Sequence, residues 1–249
     1  MSSVTFDFTG ERYIVTGASS GMGRQVAREL AAAGADVLAV GRNIERLSAV
    51  RQECPEHIFP VSVDVCDAEA LEDAIAAFVL EHGKLNGGVH AAGYNEFTPL
   101  KAHDLETAHK IMETSFWAGL EVLRLVTKAK YGTKGTSTVL FSSVSAEAPV
   151  GGKIHYSAAK AAINAGLRAA AKEISGKGHR VNSVMPGWVR TSMTKQAEDD
   201  GTNMDLFTSR ELLGFGKPED VVGMVLYLLS DRARWMTGAA IPVDGGYLA

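Results

Sequence analysis

Short apolar segments alternate with longer segments of helical periodicity along the whole chain. The short segments are apolar on both faces, as in the run Val37-Leu38-Ala39-Val40, which is typical of parallel strands covered by helices on both sides. The predicted strands span residues 12–16, 36–40, 58–61, 88–91, 138–141, 180–184 and 240–243. Strand–helix alternation repeated this often predicts a doubly wound α/β fold with a parallel sheet of about seven strands.

The helical segments are predicted to begin near Gly21, Ile44, Ala68, Asp104, Ala158 and Pro218. Two of them are long and rich in alanine, over residues 104–131 and 156–176. No linker or shift in composition divides the chain, so residues 1–249 are predicted to form a single domain. The polar segment 191–217 breaks the alternation but carries scattered large apolar residues, and we interpret it as a lid over a substrate site.

Composition narrows the function classes. The formal net charge is −4 with no basic block, which does not favour a nucleic-acid-binding protein. The two cysteines lie in unrelated local contexts, which favours a reducing compartment. The N-terminus lacks the pattern of a signal peptide, and no apolar run approaches the ~18 residues of a membrane span. We therefore expect a cytoplasmic protein without a membrane or nucleic-acid partner, and no metal site is predicted.

A glycine-rich turn follows the first predicted strand and opens the first helix. It reads Thr16-Gly17-Ala18-Ser19-Ser20-Gly21-Met22-Gly23. Glycines let the backbone approach a pyrophosphate, which is stabilised by the positive end of a helix. The spacing is neither GxGxxG nor that of a Walker loop. A ligand-free turn is the alternative, but its place in a repeated β/α pattern favours dinucleotide binding.

A tyrosine and a lysine lie four residues apart, at Tyr156 and Lys160, on one face of a predicted helix. Ser143 ends the preceding strand, thirteen residues before the tyrosine. A phenol, an ammonium group and a hydroxyl can therefore converge where a strand ends and a helix begins. The pair alone could be an ordinary amphipathic pair, but with Ser143 and the glycine turn it suits proton transfer to or from an oxygen atom.

Taken together, these motifs resemble the classical short-chain dehydrogenase/reductase family over essentially the whole chain. In chain order they are Thr16-Gly17-x-x-x-Gly21-x-Gly23, Asp64, Ala91-Ala92-Gly93, Ser143, Tyr156, Lys160, Pro186-Gly187 and Asp244-Gly245-Gly246. The resemblance implies a Rossmann-type fold and a reaction that interconverts a ketone and a secondary alcohol. It also implies that Tyr156 is the general acid or base, that Ser143 polarises the carbonyl and that Lys160 lowers the pKa of the tyrosine.

The resemblance implies a nicotinamide cofactor as well. The implied cofactor-binding residues are Gly17, Ser19, Ser20, Gly21, Met22, Gly23, Arg42, Asn43, Asp64, Val65, Ala91, Ala92, Gly93, Tyr156, Lys160, Pro186, Gly187, Val189 and Thr191. At the end of the second strand, Gly41 leaves no carboxylate to repel a phosphate, and Arg42 follows at once. An arginine here suits the 2′-phosphate of NADP, so NADP(H) is predicted in preference to NAD(H).

The chain departs from the family pattern at two places. It has His90-Ala91-Ala92-Gly93 where the family usually has Asn-Asn-Ala-Gly, and Ser115 stands where the family usually has the asparagine of a proton relay. Ser115 is therefore a candidate catalytic residue with a shorter reach. His90 ends a buried strand, and we interpret it as a hydrogen-bonded core histidine.

The motifs and the resemblance together predict an NADP(H)-dependent carbonyl reductase, and the resemblance makes the 3-oxoacyl-thioester reductases one candidate type. Asn95, Val150 and Trp188 are candidate contacts for a small carbonyl or alcohol substrate. An NAD-dependent alcohol, sugar or polyol dehydrogenase and a non-enzymatic NADP sensor are the alternatives. The apolar long helices predict that the protein is not a monomer, and the resemblance implies a homo-oligomer, a tetramer or a dimer.

Overall fold

The computed structural model describes residues 4–191, 194 and 210–249. Its seven strands form one parallel sheet in the order β3-β2-β1-β4-β5-β6-β7. The strands are β1 (Arg12–Thr16), β2 (Asp36–Gly41), β3 (Ile58–Ser62), β4 (Leu85–His90), β5 (Gly132–Phe141), β6 (Arg180–Pro186) and β7 (Ala240–Val243). The chain reverses direction of travel across the sheet between β3 and β4, as in doubly wound dinucleotide-binding folds.

Helices connect the strands on both faces. They are α1 (Gly21–Ala32), α2 (Ile44–Arg51), α3 (Ala68–His82), α4 (Leu105–Met112), α5 (Ala118–Thr127), α6 (Ile154–Ile174) and α7 (Pro218–Leu229). A π-helical turn, Glu113–Trp117, joins α4 to α5. None of the helices in the described part of the chain is long and apolar enough to cross a membrane.

Neighbouring residues of one strand face different layers of the core. Tyr13 and Val15 of β1 pack with α1, α2 and α7 on one face of the sheet. Ile14, between them, packs with α3 and α5 on the other face. Because these strands are buried on both sides, they are apolar throughout instead of alternating with polar residues. The predicted doubly wound single sheet of about seven strands is confirmed.

Several boundaries differ from those expected. β4 begins at Leu85 instead of Gly88, and β5 begins at Gly132 instead of Thr138. Glycine disfavours a strand by propensity, but a Cβ on Gly87 would lie 2.2 Å from the carbonyl oxygen of Ser137. The close approach of β5 therefore requires a glycine at position 87, where the sequence pattern predicts no strand.

The two long helices also differ from expectation. Instead of one helix over 104–131, α4 and α5 are separated by the π-helical turn. The predicted start of α6, near Ala158 or at residue 156, is two to four residues late, since the helix begins at Ile154 and includes Tyr156 in its first turn. Most of the predicted lid, residues 192, 193 and 195–209, lies outside the described residues.

Candidate active site

Two adjoining cavities open along the edge where the strands end. The larger, of about 530 Å³, lies over the carboxyl ends of β1, β2, β3 and β4, and we call it the cofactor cavity. The smaller, of about 130 Å³, lies over the ends of β5 and β6, and we call it the substrate cavity. Met22 and Thr191 line both, so a molecule that fills the first can reach the second. In open parallel sheets, ligands bind at this edge.

The glycine turn forms the floor of the cofactor cavity by close backbone contact. Gly17 has a positive φ of 70°, and a Cβ there would lie 2.7 Å from the backbone nitrogen of Ala92. A Cβ on Gly23, in the first turn of α1, would lie 2.4 Å from the carbonyl oxygen of Gly17. No larger residue fits at either position without a backbone shift, and the result is an open cradle at the N-terminus of a helix. This geometry suits an anionic group such as a pyrophosphate.

Most predicted cofactor-binding residues line this cavity: Gly17, Ser19, Ser20, Gly21, Met22, Gly23, Arg42, Asp64, Val65, Ala91, Ala92, Gly93 and Thr191. Asn43 does not line it, because its side chain caps α2 by accepting the N–H of Arg46 at 2.8 Å. Arg42 is exposed beside the cavity, next to Gly41, with no acidic residue at the end of β2. Arg24, a cation in the first turn of α1, forms an ion pair with Glu53 and does not line the cavity.

The substrate cavity has walls of mixed polarity. The predicted substrate residues Asn95, Val150 and Trp188 all line it. Ser143 and Tyr156 line it too, as do Pro186, Gly187 and Val189 from the turn after β6. The turn predicted to flank the nicotinamide therefore borders the same space as the candidate catalytic hydroxyls.

Ser143 and Tyr156 line this cavity, and Lys160 is buried next to Tyr156 without lining either cavity. The hydroxyl of Ser143 is close enough to the phenol of Tyr156 to favour its ionised form. The Oγ atom of Ser143 also accepts the N–H of Ser145 at 3.1 Å, which fixes the serine at the start of the 3₁₀ turn Val144–Ala146. The Nζ atom of Lys160 lies 5.5 Å from the centre of the Tyr156 ring. Three residues that lie apart in the sequence thus form one cluster in the structure.

The electrostatics of the cluster differ from the expectation in one respect. Burial raises the pKa of Tyr156, and the hydrogen bond from Ser143 offsets this only in part. Burial also lowers the pKa of Lys160 to about 8. The ammonium group donates to the carbonyl oxygen of Phe141 at 2.7 Å. The expected lowering of the tyrosine pKa by Lys160 is therefore not found in the chain alone, because desolvation of the phenol dominates.

Ser115 lies behind the cluster, within the π-helical turn. Its side chain is fully buried, and its Oγ atom has no hydrogen-bond partner among the described residues. A Cβ on Gly93 would lie 3.7 Å from the Nζ atom of Lys160 and 4.0 Å from the Oγ atom of Ser115. The missing side chain at Gly93 therefore leaves a small polar space between the serine and the lysine.

His90 is a core residue, as predicted. Its ring nitrogens are 2.9 Å from the Oγ1 atom of Thr16 and 3.0 Å from the carbonyl oxygen of Thr114. Burial, together with the charge of Lys160, lowers the pKa of His90 to about 4. The imidazole is therefore neutral near pH 7 and tethers β1 to the π-helical turn.

Several residues at the site escape the sequence analysis. Cys66, Lys110, Glu113 and Thr114 line the cofactor cavity, and Lys153 lines the substrate cavity. They come from helices and loops whose sequences carry no motif. Lys153 was detectable only from its place three residues before Tyr156, which puts both on one side of the helix start.

Comparisons with known proteins agree with this geometry. Residues 17–248 match a family model described as Enoyl-(Acyl carrier protein) reductase. The chain is 34% identical over 250 residues to carbonyl reductase (NADPH) 2 of Sus scrofa, covering 98% of both chains. It is 31% identical over 245 residues to L-xylulose reductase of Caenorhabditis elegans, covering 97% of both. A short-chain glucose/ribitol dehydrogenase from Brucella melitensis has a similar structure, with a TM-score of 0.91, 28% identity and coverage of 98% of this chain and 99% of that one.

Proposed function

This chain belongs to the classical short-chain dehydrogenase/reductase family, and we propose that it is an NADP(H)-dependent enzyme that interconverts a ketone and a secondary alcohol. Its relatives make it an oxidoreductase that acts on carbonyl or CH–OH groups with a nicotinamide cofactor. The proposal adds the choice of NADP(H), the reacting group and the residues that carry the chemistry.

The observation that carries the proposal is that Ser143 and Tyr156 both line the substrate cavity, with their hydroxyls close enough to interact. Two hydroxyls that meet at one point can both bond to a single carbonyl oxygen placed there. In the reductive direction, Tyr156 donates its proton to that oxygen and Ser143 stabilises the negative charge that develops on it. In the oxidative direction, Tyr156 accepts the proton of the alcohol.

Lys160, which is buried next to Tyr156, supports this proton transfer. Its pKa of about 8 lets it exchange a proton near neutral pH. A positive charge close to a phenol lowers its pKa, but burial dominates at Tyr156 in the chain alone. We propose that Ser115 holds a water molecule in the space beside Gly93, and that this water connects Lys160 to solvent in place of the amide of the usual asparagine.

The cofactor cavity fits a dinucleotide. No side chain fits at Gly17 or Gly23, so a pyrophosphate can approach the backbone there. When bound, the nicotinamide supplies or accepts the hydride. The glycine turn would hold the pyrophosphate, and Asp64 would accept from the adenine amine. Val189 and Thr191 would contact the carboxamide end. The chain itself positions the cofactor and the substrate and stabilises the charges that develop during the reaction.

The preference for NADP(H) rests on Gly41 and Arg42. A carboxylate at the end of β2 would repel a 2′-phosphate, and the described cavity wall has none at that point. The guanidinium group of Arg42 can bind a phosphate through paired N–H groups. The name of one relative, carbonyl reductase (NADPH) 2, agrees with this choice.

The substrate is proposed to be a small ketone. Trp188 and Val150 offer apolar contacts, and Asn95 offers a polar one. The names of two relatives, L-xylulose reductase and 3-oxoacyl-(acyl-carrier-protein) reductase, extend the range from sugars to acyl thioesters. Leu105 and Trp117 of the α4–α5 region are largely exposed, which supports a homo-oligomer, a tetramer or a dimer. The cytoplasm is proposed as the location because Cys54 and Cys66 are free thiols.

The proposal is tested by oxidation of NADPH and of NADH over a panel of sugar, aliphatic and acyl-thioester ketones. We expect turnover with NADPH and a lower kcat/KM with NADH. Binding of NADPH without turnover on any ketone would favour the NADP-sensing alternative over an enzyme.

The cofactor preference has its own variant. In Arg42→Ala, we expect kcat/KM for NADPH to fall about tenfold or more, because a phosphate contact is lost, while that for NADH changes little. Arg51→Ala is the matched control, since Arg51 is exposed at the other end of α2. Equal losses for the two cofactors would contradict the role of Arg42.

A further inference from the structure

A buried glutamate that the proposed chemistry does not use lies beside the turn after β6. Glu211 is 6% exposed. Its Oε1 atom accepts the backbone N–H of Trp188. Its Oε2 atom is buried and has no hydrogen-bond partner among the described residues. A carboxyl group in such a place costs free energy unless it performs a structural or functional task.

Glu211 lies where three segments meet. A Cβ on Gly187 would be 2.6 Å from the Oε1 atom of Glu211 and 2.8 Å from the carbonyl oxygen of Asp244. The carboxyl group is therefore packed directly on the Gly187 backbone, with the end of β7 on the other side. Gly187 in turn donates its N–H to the carbonyl oxygen of Val243 at 3.2 Å.

Residues 211–216, the segment that carries Glu211, form backbone hydrogen bonds with the residues after β7 and with the turn after β6. The N–H of Leu213 donates to the carbonyl oxygen of Gly245 at 3.0 Å. The N–H of Gly216 donates to the carbonyl oxygen of Trp188, also at 3.0 Å. With the Glu211 contact, both backbone polar groups of Trp188 are bonded to the 211–216 segment. The position of Trp188 is thereby tied to this segment.

The surroundings favour the neutral form of the glutamate. Burial raises the pKa of Glu211 to about 7, and the charge of Asp244 adds to this, while the bond from Trp188 opposes it. The nearby cations face aromatic rings: the guanidinium of Arg190 lies 5.4 Å from the centre of Phe215 and that of Arg210 5.9 Å from the centre of Tyr247. No cation in residues 4–191, 194 and 210–249 forms an ion pair with Glu211.

We propose that Glu211 is a positioning residue that holds the Gly187–Trp188 turn in place between the two cavities. Gly187 and Trp188 line the substrate cavity, and Thr191, three residues later, lines both. Fixing the backbone at Trp188 therefore sets the width of the substrate cavity and the wall that it shares with the cofactor cavity. Glu211 itself lines neither cavity and acts through this turn. The kinetic consequence rests on the proposed function.

Two substitutions separate the hydrogen bond from simple packing. Glu211→Gln keeps an oxygen that can accept the N–H of Trp188 and cannot ionise. Glu211→Leu fills a similar volume and removes the acceptor. We expect Glu211→Leu to raise KM for the ketone about tenfold with kcat within about twofold, as for the loss of one buried hydrogen bond. We expect Glu211→Gln to restore KM to within about threefold of the wild type.

Glu219→Gln is the control, because Glu219 is exposed in the first turn of α7 and should leave KM and kcat unchanged. Thermal unfolding confirms that each variant is folded. A wild-type KM in Glu211→Leu would overturn the inference. The same loss in Glu211→Gln as in Glu211→Leu would overturn it too, since the acceptor oxygen would then be irrelevant.

A readout without turnover distinguishes this inference from the proposed function. In a Trp117→Phe/Trp235→Phe background, fluorescence reports on Trp188, because these are the three tryptophans of the chain. We expect Glu211→Leu to shift the emission of Trp188 and Glu211→Gln to leave it as in the background protein. Absence of turnover in the wild type would defeat the proposed function alone. Unchanged emission in Glu211→Leu would defeat the role of Glu211.

Discussion

The two cavities are built in different ways. The cofactor cavity rests on backbone: glycines at the ends of β1 and in α1 approach other main-chain atoms so closely that no side chain fits. The substrate cavity rests on side chains, and its walls come from loops far apart in the chain, at Asn95, Val150 and Trp188. Backbone cradles recognise what all dinucleotides share, whereas side-chain walls can differ from one substrate to another. This difference explains why the cofactor can be identified more readily than the substrate.

The sharpest way to separate the two halves is Tyr156→Phe. We expect kcat to fall about thousandfold, because the general acid is lost, while the Kd for NADPH stays within a fewfold of the wild type. Single-turnover kinetics and fluorescence titration measure the two quantities. Tyr227→Phe, on the outer helix α7, is the control. A Tyr156→Phe enzyme with near-normal kcat would remove the tyrosine from the mechanism.

The first of two glycine substitutions disrupts the cofactor cavity. Gly23→Ala places a methyl group 2.4 Å from the carbonyl oxygen of Gly17, so the cradle must shift. We expect it to lose about 1–3 kcal/mol of unfolding free energy and to weaken NADPH binding about tenfold or more. Calorimetry and NADPH titration check both effects.

Gly223→Ala is its counterpart in α7, where a Cβ would meet nothing within 4 Å. Since alanine favours a helix over glycine, this variant should gain up to about 1 kcal/mol and bind NADPH normally. If Gly23→Ala also bound NADPH normally, the cavity would not depend on its glycine cradle.

The smallest effect concerns pH at the border of the two cavities. The pKa of Glu211 is raised to about 7 from 4.5, so folding favours the neutral carboxyl. Its contribution to stability is complete below about pH 4.5 and is lost as the pH rises through about 7. Glu211→Gln stays neutral, so its Tm should rise relative to the wild type by several degrees from about pH 5 to pH 8, given about 2–4 °C per kcal/mol.

All other titrations are common to the two proteins and cancel in the difference. Thermal unfolding at closely spaced pH values measures it. Parallel Tm curves for wild type and Glu211→Gln would show that the carboxyl group is not buried in its neutral form.

The fold and the cofactor half could be predicted because their signals are local. Doubly buried strands give apolar runs, and Gly17, Gly21 and Gly23 follow the first of them at fixed spacing. Ser143, Tyr156 and Lys160 could be placed together because a strand end and a helix start fix their relative positions. The shift of the α6 start to Ile154 did not disturb that spacing.

The remaining features depend on contacts between distant segments. Arg24 looks available for a phosphate until Glu53, far along the chain, pairs with it. Nothing in the residues around Glu211 indicates that it is buried against Gly187 and Trp188. The direction of the Tyr156 pKa also depends on how deeply the phenol is buried, and burial follows from tertiary packing.

The π-helical turn Glu113–Trp117 has a consequence for how this region can change over evolution. A π turn holds one residue more than an α turn and absorbs it within about one turn, so the helices on either side keep nearly the same faces. Deleting one residue from 113–117 would therefore restore α-helical winding while α5 keeps its face toward the sheet. Such a deletion would disturb the turn itself, where Ser115 lies behind Lys160. We therefore expect a one-residue deletion here to be tolerated by the fold more readily than by the proposed site.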